Sequence, residues 1–188
     1  MFFFDNNNIQ VFEPCSVEHA YLAILKEDLD SAEKVFASLD SPRAKWGTTL
    51  ISILKSYLTR YPTYFEIRNF FEIDLDFLIK NEKYHYAELL LGSVELIKDY
   101  NSEIYKYCAR AMYNNAFYNA ALEYMEKSKK FFYNDPELHF MFAKYYYKFN
   151  NYENTKYYAE ECLKILPDYF PAVQLLKALH EKSPFDEK

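Results

Sequence analysis

From Ser16 onward, apolar side chains return at spacings of three and four with polar residues between them, which is the pattern of amphipathic α-helices. The helical stripes themselves recur. Tyr84, Tyr118 and Tyr152 stand 34 residues apart, and so do Ala87, Ala121 and Thr155, three places further on. The same interval links Phe71, Tyr105, His139 and Val173, then Leu75, Ala109 and Ala143, then Leu78, Met112 and Tyr146, then Val94, Ser128 and Cys162. An interval of 34 residues suits a helix–turn–helix unit that cannot bury its apolar face alone and must stack on copies of itself. Ala109 with Ala121, and Ala143 with Thr155, supply the small side chains that two closely crossing helices need. The aromatic residues of these columns are expected in the core.

The pattern predicts an all-α single domain over residues 1–188, with the following order. Residues 1–14 have no helical period and form a non-helical tail. Ser16 is a candidate N-cap opening a truncated first unit over 15–40, in which Ala20, Leu29, Ala32 and Phe36 hold unit positions. Leu29 and Tyr84 share a unit position but lie one period plus 21 residues apart, enough for an extra helix and a turn. Ser41 and Pro42 start that inserted helix, residues 43–60, its stripe is Trp46, Leu50, Ile53, Leu54 and Tyr57, and Pro62 stops it. Units at 64–101, 102–135 and 136–169 follow. Residues 170–182 begin another unit but put Lys177 where a small residue belongs, as a terminal helix with no further neighbour would.

These columns resemble the tetratricopeptide repeat (TPR). The match is best over 136–169, with His139, Phe142, Ala143 and Tyr146 on the first helix, Tyr152, Thr155 and Cys162 on the second, and Pro167 at the close. The resemblance implies a right-handed superhelical solenoid of antiparallel helix pairs, here with one inserted helix and a C-terminal capping helix. It also implies a concave groove lined by the first helix of each unit. By position that groove takes Glu72 and Asp76, with Asn69 and Ile79 beside them, then Glu103, Lys106, Arg110, Tyr113 and Asn114, then Glu137, Phe140, Lys144, Tyr147 and Lys148, with Gln174 and Ala178 following. Lys106 and Arg110 resemble the basic pair with which some repeats of this family hold a peptide carboxylate, although Asp76 stands where the two-carboxylate clamp requires Asn. The implied function is a non-catalytic scaffold for a protein or peptide ligand, acidic and with apolar anchors. The alternative is a small dedicated chaperone or adaptor, dimeric through its N-terminal segment, similar to the TPR chaperones of secretion systems.

Composition narrows this further. A formal charge of −6 argues against a general nucleic-acid or anionic-membrane binder. With only Gly47 and Gly92, the chain has no glycine-rich phosphate loop or nucleophile elbow. His19, His85, His139 and His180 form no metal-binding spacing, and no cofactor is implied. Cys15, Cys108 and Cys162 lack a CxxC spacing and are expected to be reduced core thiols in a reducing compartment, hence a cytoplasmic location. Met1–Phe4 lacks a basic region, so it is not expected to be a secretory signal, and no apolar run approaches the roughly 20 residues that span a bilayer. Phe2, Phe3, Phe4, Ile9, Val11 and Phe12 make the tail apolar enough to cap the first unit or to lie in a groove. Asp74 holds an otherwise apolar column. It is expected at the surface, given the cost of burying an ion, or else paired with Arg68 or Lys80.

Overall fold

A computed structural model describes residues 15–58 and 60–182. The expected non-helical tail, residues 1–14, and its roles as cap or groove ligand lie outside the described residues. Among the described residues there is no strand, and the helices lie in adjacent pairs. Helix α1 (Val17–Leu25) packs on α2 (Leu29–Ser38), and α2 packs on α3 (Pro42–Leu54). Helices α4 (Tyr64–Asn69) and α5 (Leu75–Lys80) run continuously through a π-helical segment, Phe70–Asp74. Then come α6 (Tyr84–Gly92), the short α7 (Val94–Ile97), α8 (Ile104–Asn114), α9 (Tyr118–Lys129), α10 (Pro136–Lys148), α11 (Tyr152–Ile165) and α12 (Phe170–Lys182). Pairs α8 with α9 and α10 with α11 are the most closely joined, and α12 packs on α11.

Local chemistry starts most of these helices. The side chains of Ser16, Asp28, Ser41, Asp135 and Asn151 each accept a backbone N–H of the helix that follows, and Pro42 and Pro136 occupy first-turn positions where no N–H is needed. The turns are equally specific. Glu27, Ser56, Glu82, Ala116 and Asn150 all adopt positive φ, between 57° and 65°. Just after each, one N–H reaches back over the helix end: Asp28 to the Ala23 carbonyl, Tyr57 to Ser52, Lys83 to Leu78, Phe117 to Met112 and Asn151 to Tyr146, at 2.9–3.0 Å. This is the Schellman closure, which satisfies carbonyls that the helix end would leave orphaned. Two residues beyond four of these turns the next helix begins, at Leu29, Tyr84, Tyr118 and Tyr152.

The fifth turn is the exception. Helix α3 ends at Leu54 instead of continuing to 60, because Ser56 closes it with the same turn. Leu58 then stands where a second helix should begin, but none forms among the described residues between 57 and 63. Pro62 lies four places into that would-be helix, beyond the first turn where proline is tolerated. The chain instead crosses to α4, held by Glu66. Its carboxylate accepts both Arg60 guanidinium nitrogens and the Thr63 N–H, while Thr63 accepts the Glu66 N–H in a reciprocal capping box. Arg60 also donates to Thr49 on α3 (2.7 Å). Gly47 is needed on α3 because the Phe36 ring of α2 occupies the place a Cβ would take.

Several expected positions are corrected. Asp74 is neither exposed nor paired with Arg68 or Lys80; it is 1% exposed. Its carboxylate accepts Tyr21 Oη (2.8 Å), Arg43 (3.1 Å) and Asn69 Nδ2 (2.6 Å), which joins α1, α3 and α4. Asn69 and Ile79 are buried and not part of any open face. Tyr84 and Tyr152 are exposed, because the first residue of each second helix lies at the rim and not inside. Cys108 and Cys162 are buried free thiols, but Cys15 is exposed.

Two consequences can be measured. A β-carbon in the left-handed region costs roughly 1–2 kcal/mol, partly offset by the extra unfolded-state freedom of glycine. Ala116→Gly should therefore raise the melting temperature, by a gain on the order of 0.5–1 kcal/mol, whereas Ala111→Gly inside α8 should lower it. Second, burial pushes the Asp74 carboxyl up to about 6, against the pull of Arg43 and the hydrogen bonds of Tyr21 and Asn69. A carboxyl whose folded pKa lies above its unfolded value takes up a proton more readily in the folded state. Its contribution therefore favours folding increasingly as pH falls through about 6, and is complete below the ordinary aspartate range. Denaturant unfolding of wild type and Asp74→Asn between neutral pH and pH about 4 should show the difference moving toward wild type as pH falls; a constant difference would contradict it.

Candidate functional site

The face shared by the first helices of three successive units starts as alternating charge. Glu72, in the π-helical segment, takes Arg68 Nε at 2.7 Å and also pairs with Arg110 of α8. Arg110 continues to Glu137 of α10. One turn earlier on α8, Lys106 reaches Asp135 at 2.6 Å, Glu137 at 3.4 Å and Glu103 at 3.7 Å. Asp135 has two tasks: one carboxylate oxygen accepts the Glu137 and Leu138 N–H groups that open α10, and the other accepts Lys106. The result is a ladder of acid and base that bridges three units.

Lys106 is only 7% exposed. Burial pulls its pKa down, but the Asp135 hydrogen bond and the charges of Asp135, Glu137 and Glu103 outweigh that and raise it, so it stays an ammonium. Glu103 is treated similarly. Burial raises its pKa, yet the Tyr107 and Tyr64 hydroxyls, both donating at 2.7 Å, together with Lys106 bring it below the usual range. The expected open basic centre is therefore different in kind: Lys106 and Arg110 already hold carboxylates of their own chain. Asp76, at the neighbouring unit, is occupied by Lys80 (2.6 Å) and accepts Asn115 Nδ2 (2.8 Å).

The remaining predicted residues form a second, aromatic zone toward the ends of α8 and α10. Lys144 lies over the Tyr113 ring, 4.9 Å from its centroid, and the Tyr113 hydroxyl donates to the Lys144 carbonyl at 3.3 Å. Lys148 lies over Tyr118 at 5.8 Å. Phe140 meets Tyr169 edge-on at 5.4 Å, and Tyr147 lies 6.2 Å from Tyr152. Tyr113, Phe140 and Tyr147 are half-buried, and Lys144, Lys148 and Asn114 are exposed. Neither Lys144 nor Lys148 has a carboxylate within salt-bridge distance among the described residues. The ten predicted residues thus fall into two groups. Glu72, Asp76, Lys106 and Arg110 are tied into ion pairs, while Tyr113, Phe140, Lys144, Tyr147 and Lys148 form a zone of rings and cations, with Asn114 at the edge.

Glu103 and Glu137, which position in the unit already puts on this face, and Asp135, which it does not, change the chemistry there. A signal for Asp135 was present, since Asp directly before Pro136 marks a helix N-cap whose carboxylate must lie at the start of α10. Its distance of 29 positions from Lys106 hides the contact. Among the described residues no group of three or more His, Cys, Asp or Glu is placed to hold a metal ion, and no helix is long and apolar enough to cross a membrane. Comparison with protein-family models, with curated proteins and with solved structures yields no match.

Proposed function

We propose that this chain is a non-catalytic helical-repeat scaffold that binds a protein or peptide on the face formed by α5, α8 and α10. The unit is read as TPR-like, stacked as a right-handed superhelix in one domain, with α12 as the terminal cap. The observation that carries the reading is the division of that face. A self-paired ionic ladder fixes the register of the units, and beside it Lys144 and Lys148 stand over aromatic rings without carboxylate partners among the described residues. Cations held on rings next to half-buried aromatics suit a peptide that brings a carboxylate and an apolar anchor. Lys106 and Arg110, in this reading, shape the site and do not touch the ligand. The buried thiols Cys108 and Cys162 fit a reducing, cytoplasmic setting.

The test separates the two groups of cations. Binding of a panel of synthetic peptides combining Asp or Glu with Phe or Leu is followed by fluorescence anisotropy. Lys144→Glu with Lys148→Glu should weaken binding about tenfold or more, a change of about 1.4 kcal/mol, with little shift in melting temperature because both are exposed. Arg110→Glu places an acid between Glu72 and Glu137 and should instead destabilise the fold by about 1–3 kcal/mol. Peptide binding unchanged by the double lysine reversal would remove this face from the function.

A further inference from the structure

Away from that face, a groove of about 580 Å³ runs between the end of α3 and the length of α6 and α7. Ile53, Tyr57 and Leu58 form one wall, and Leu89, Gly92 and Leu96 the other. It opens where the unit begun by α3 has no second helix: the Ser56 turn matches the four that lead into helices, but the segment after it is not helical among the described residues.

The wall on α6 and α7 departs from its own repeats. One period on, the positions of Leu89, Gly92 and Leu96 are Glu123 and Glu126 on α9 and Lys130 at its C-cap. A further period on they are Tyr157, Glu160 and Lys164 on α11, and all six of these are exposed. Five of those six are charged, Tyr157 being the exception, whereas this unit carries Leu89 at 37% and Leu96 at 67% exposure. Gly92 adds an independent sign. A Cβ placed on it would meet nothing within 4 Å, so nothing in the chain's own packing requires a glycine at this last position of α6. Between Leu89 on α6 and Leu96 on α7, the missing side chain at Gly92 leaves a low point in the wall at which a helix can approach closely.

We infer that this groove docks an amphipathic α-helix from a partner protein, which takes the place of the absent second helix. Shape fixes the class of occupant: apolar residues at spacings of three and four, with a small residue facing Gly92. Charge fixes its edge. Glu88 lines the groove and has no cation partner among the described residues, so the docked helix carries Lys or Arg along that side. The site is independent of the aromatic face proposed above.

The probe is a pair of synthetic helical peptides with one Leu/Ala stripe, flanked by Lys in one and by Glu in the other, titrated against the full chain. The Lys-flanked peptide should bind, and the Glu-flanked one at least tenfold more weakly. Leu89→Glu with Leu96→Lys, which restores the residues of α9, should weaken binding at least tenfold while the melting temperature holds, and so should Gly92→Glu. The Lys144→Glu, Lys148→Glu chain should bind the helical peptide as wild type does, which keeps this outcome separate from that of the aromatic face. Four results would overturn the inference: no binding of the Lys-flanked peptide, binding that ignores the groove variants, a wild-type dimer in sedimentation that those variants dissociate, or tighter binding once residues 2–12 are deleted. The third would assign the groove to a second copy, and the fourth to the chain's own N-terminal segment.

Discussion

The helix pairs α1 with α2, α5 with α6, α8 with α9 and α10 with α11 depend on one backbone event, a left-handed residue that closes a helix and turns the chain back along it. The event occurs at Glu27, Ser56, Glu82, Ala116 and Asn150, and the last three are spaced by the 34-residue period. None of the five is glycine, so each turn carries backbone strain. That strain persists because the flanking helices over-determine it. Ala23, Leu78, Met112 and Tyr146 each supply both the carbonyl that accepts the closing N–H and a side chain at the junction of the two helices. Turn and core are in this sense a single constraint, in which burial of the apolar faces holds the turn and the turn sets which faces meet.

Where the period fails, polar groups take over the work of apolar ones. The stretch from Ser41 to Lys80 holds a first helix without its second, an irregular crossing and a π-helical segment. Two buried carboxylates anchor it, both 1% exposed, and their environments push them in opposite directions. Glu66 is raised by burial but brought below the usual range by Arg60 and the Thr63 N–H, so it stays charged and fixes the crossing. Asp74 is raised to about 6, because burial outweighs Arg43 and the hydrogen bonds of Tyr21 and Asn69. The π-helical segment ends on Asp74, and an inserted residue there changes the phase of the helix between its two halves. That phase change lets one helix present Glu66 toward α3 and Arg60, and Asp74 toward α1 and Arg43.

Local signals in the sequence were legible and distant ones were not. Ser16, Ser41 with Pro42, and Asp135 with Pro136 announce helix starts by residue type alone. The helix ends carry no such mark, since Ser, Glu, Ala and Asn stand where glycine would be expected, and this is why α3 stops at Leu54 without a warning. Asp74 was visible as an acid in an apolar column. Its nearest basic residues in the chain are taken elsewhere, Arg68 by Glu72 and Lys80 by Asp76, and its true partner lies 31 positions away on α3. The same limit applies to the candidate site, where position within the unit located Lys106, Arg110 and the acids Glu72, Glu103 and Glu137 on one face but neither their pairing nor Asp135.

Stacked units contact mainly their neighbours, so stability is carried junction by junction. Among the described residues the junction beside α3 lacks one helix, and the groove left there exposes leucine where later units expose mainly charged residues. The Tyr21–Arg43–Asp74–Asn69 and Thr49–Arg60–Glu66–Thr63 clusters span that junction from within, through hydrogen bonds whose geometry permits little sliding. Polar clusters of this kind add register more than net stability, because the desolvation they require offsets much of their attraction. The junction is thereby held in place without being filled. A surface that is fixed in shape and still apolar loses less conformational freedom on docking a helix than a mobile one would, and that makes the deficit in the repeat a means of recognition and not only a defect in packing.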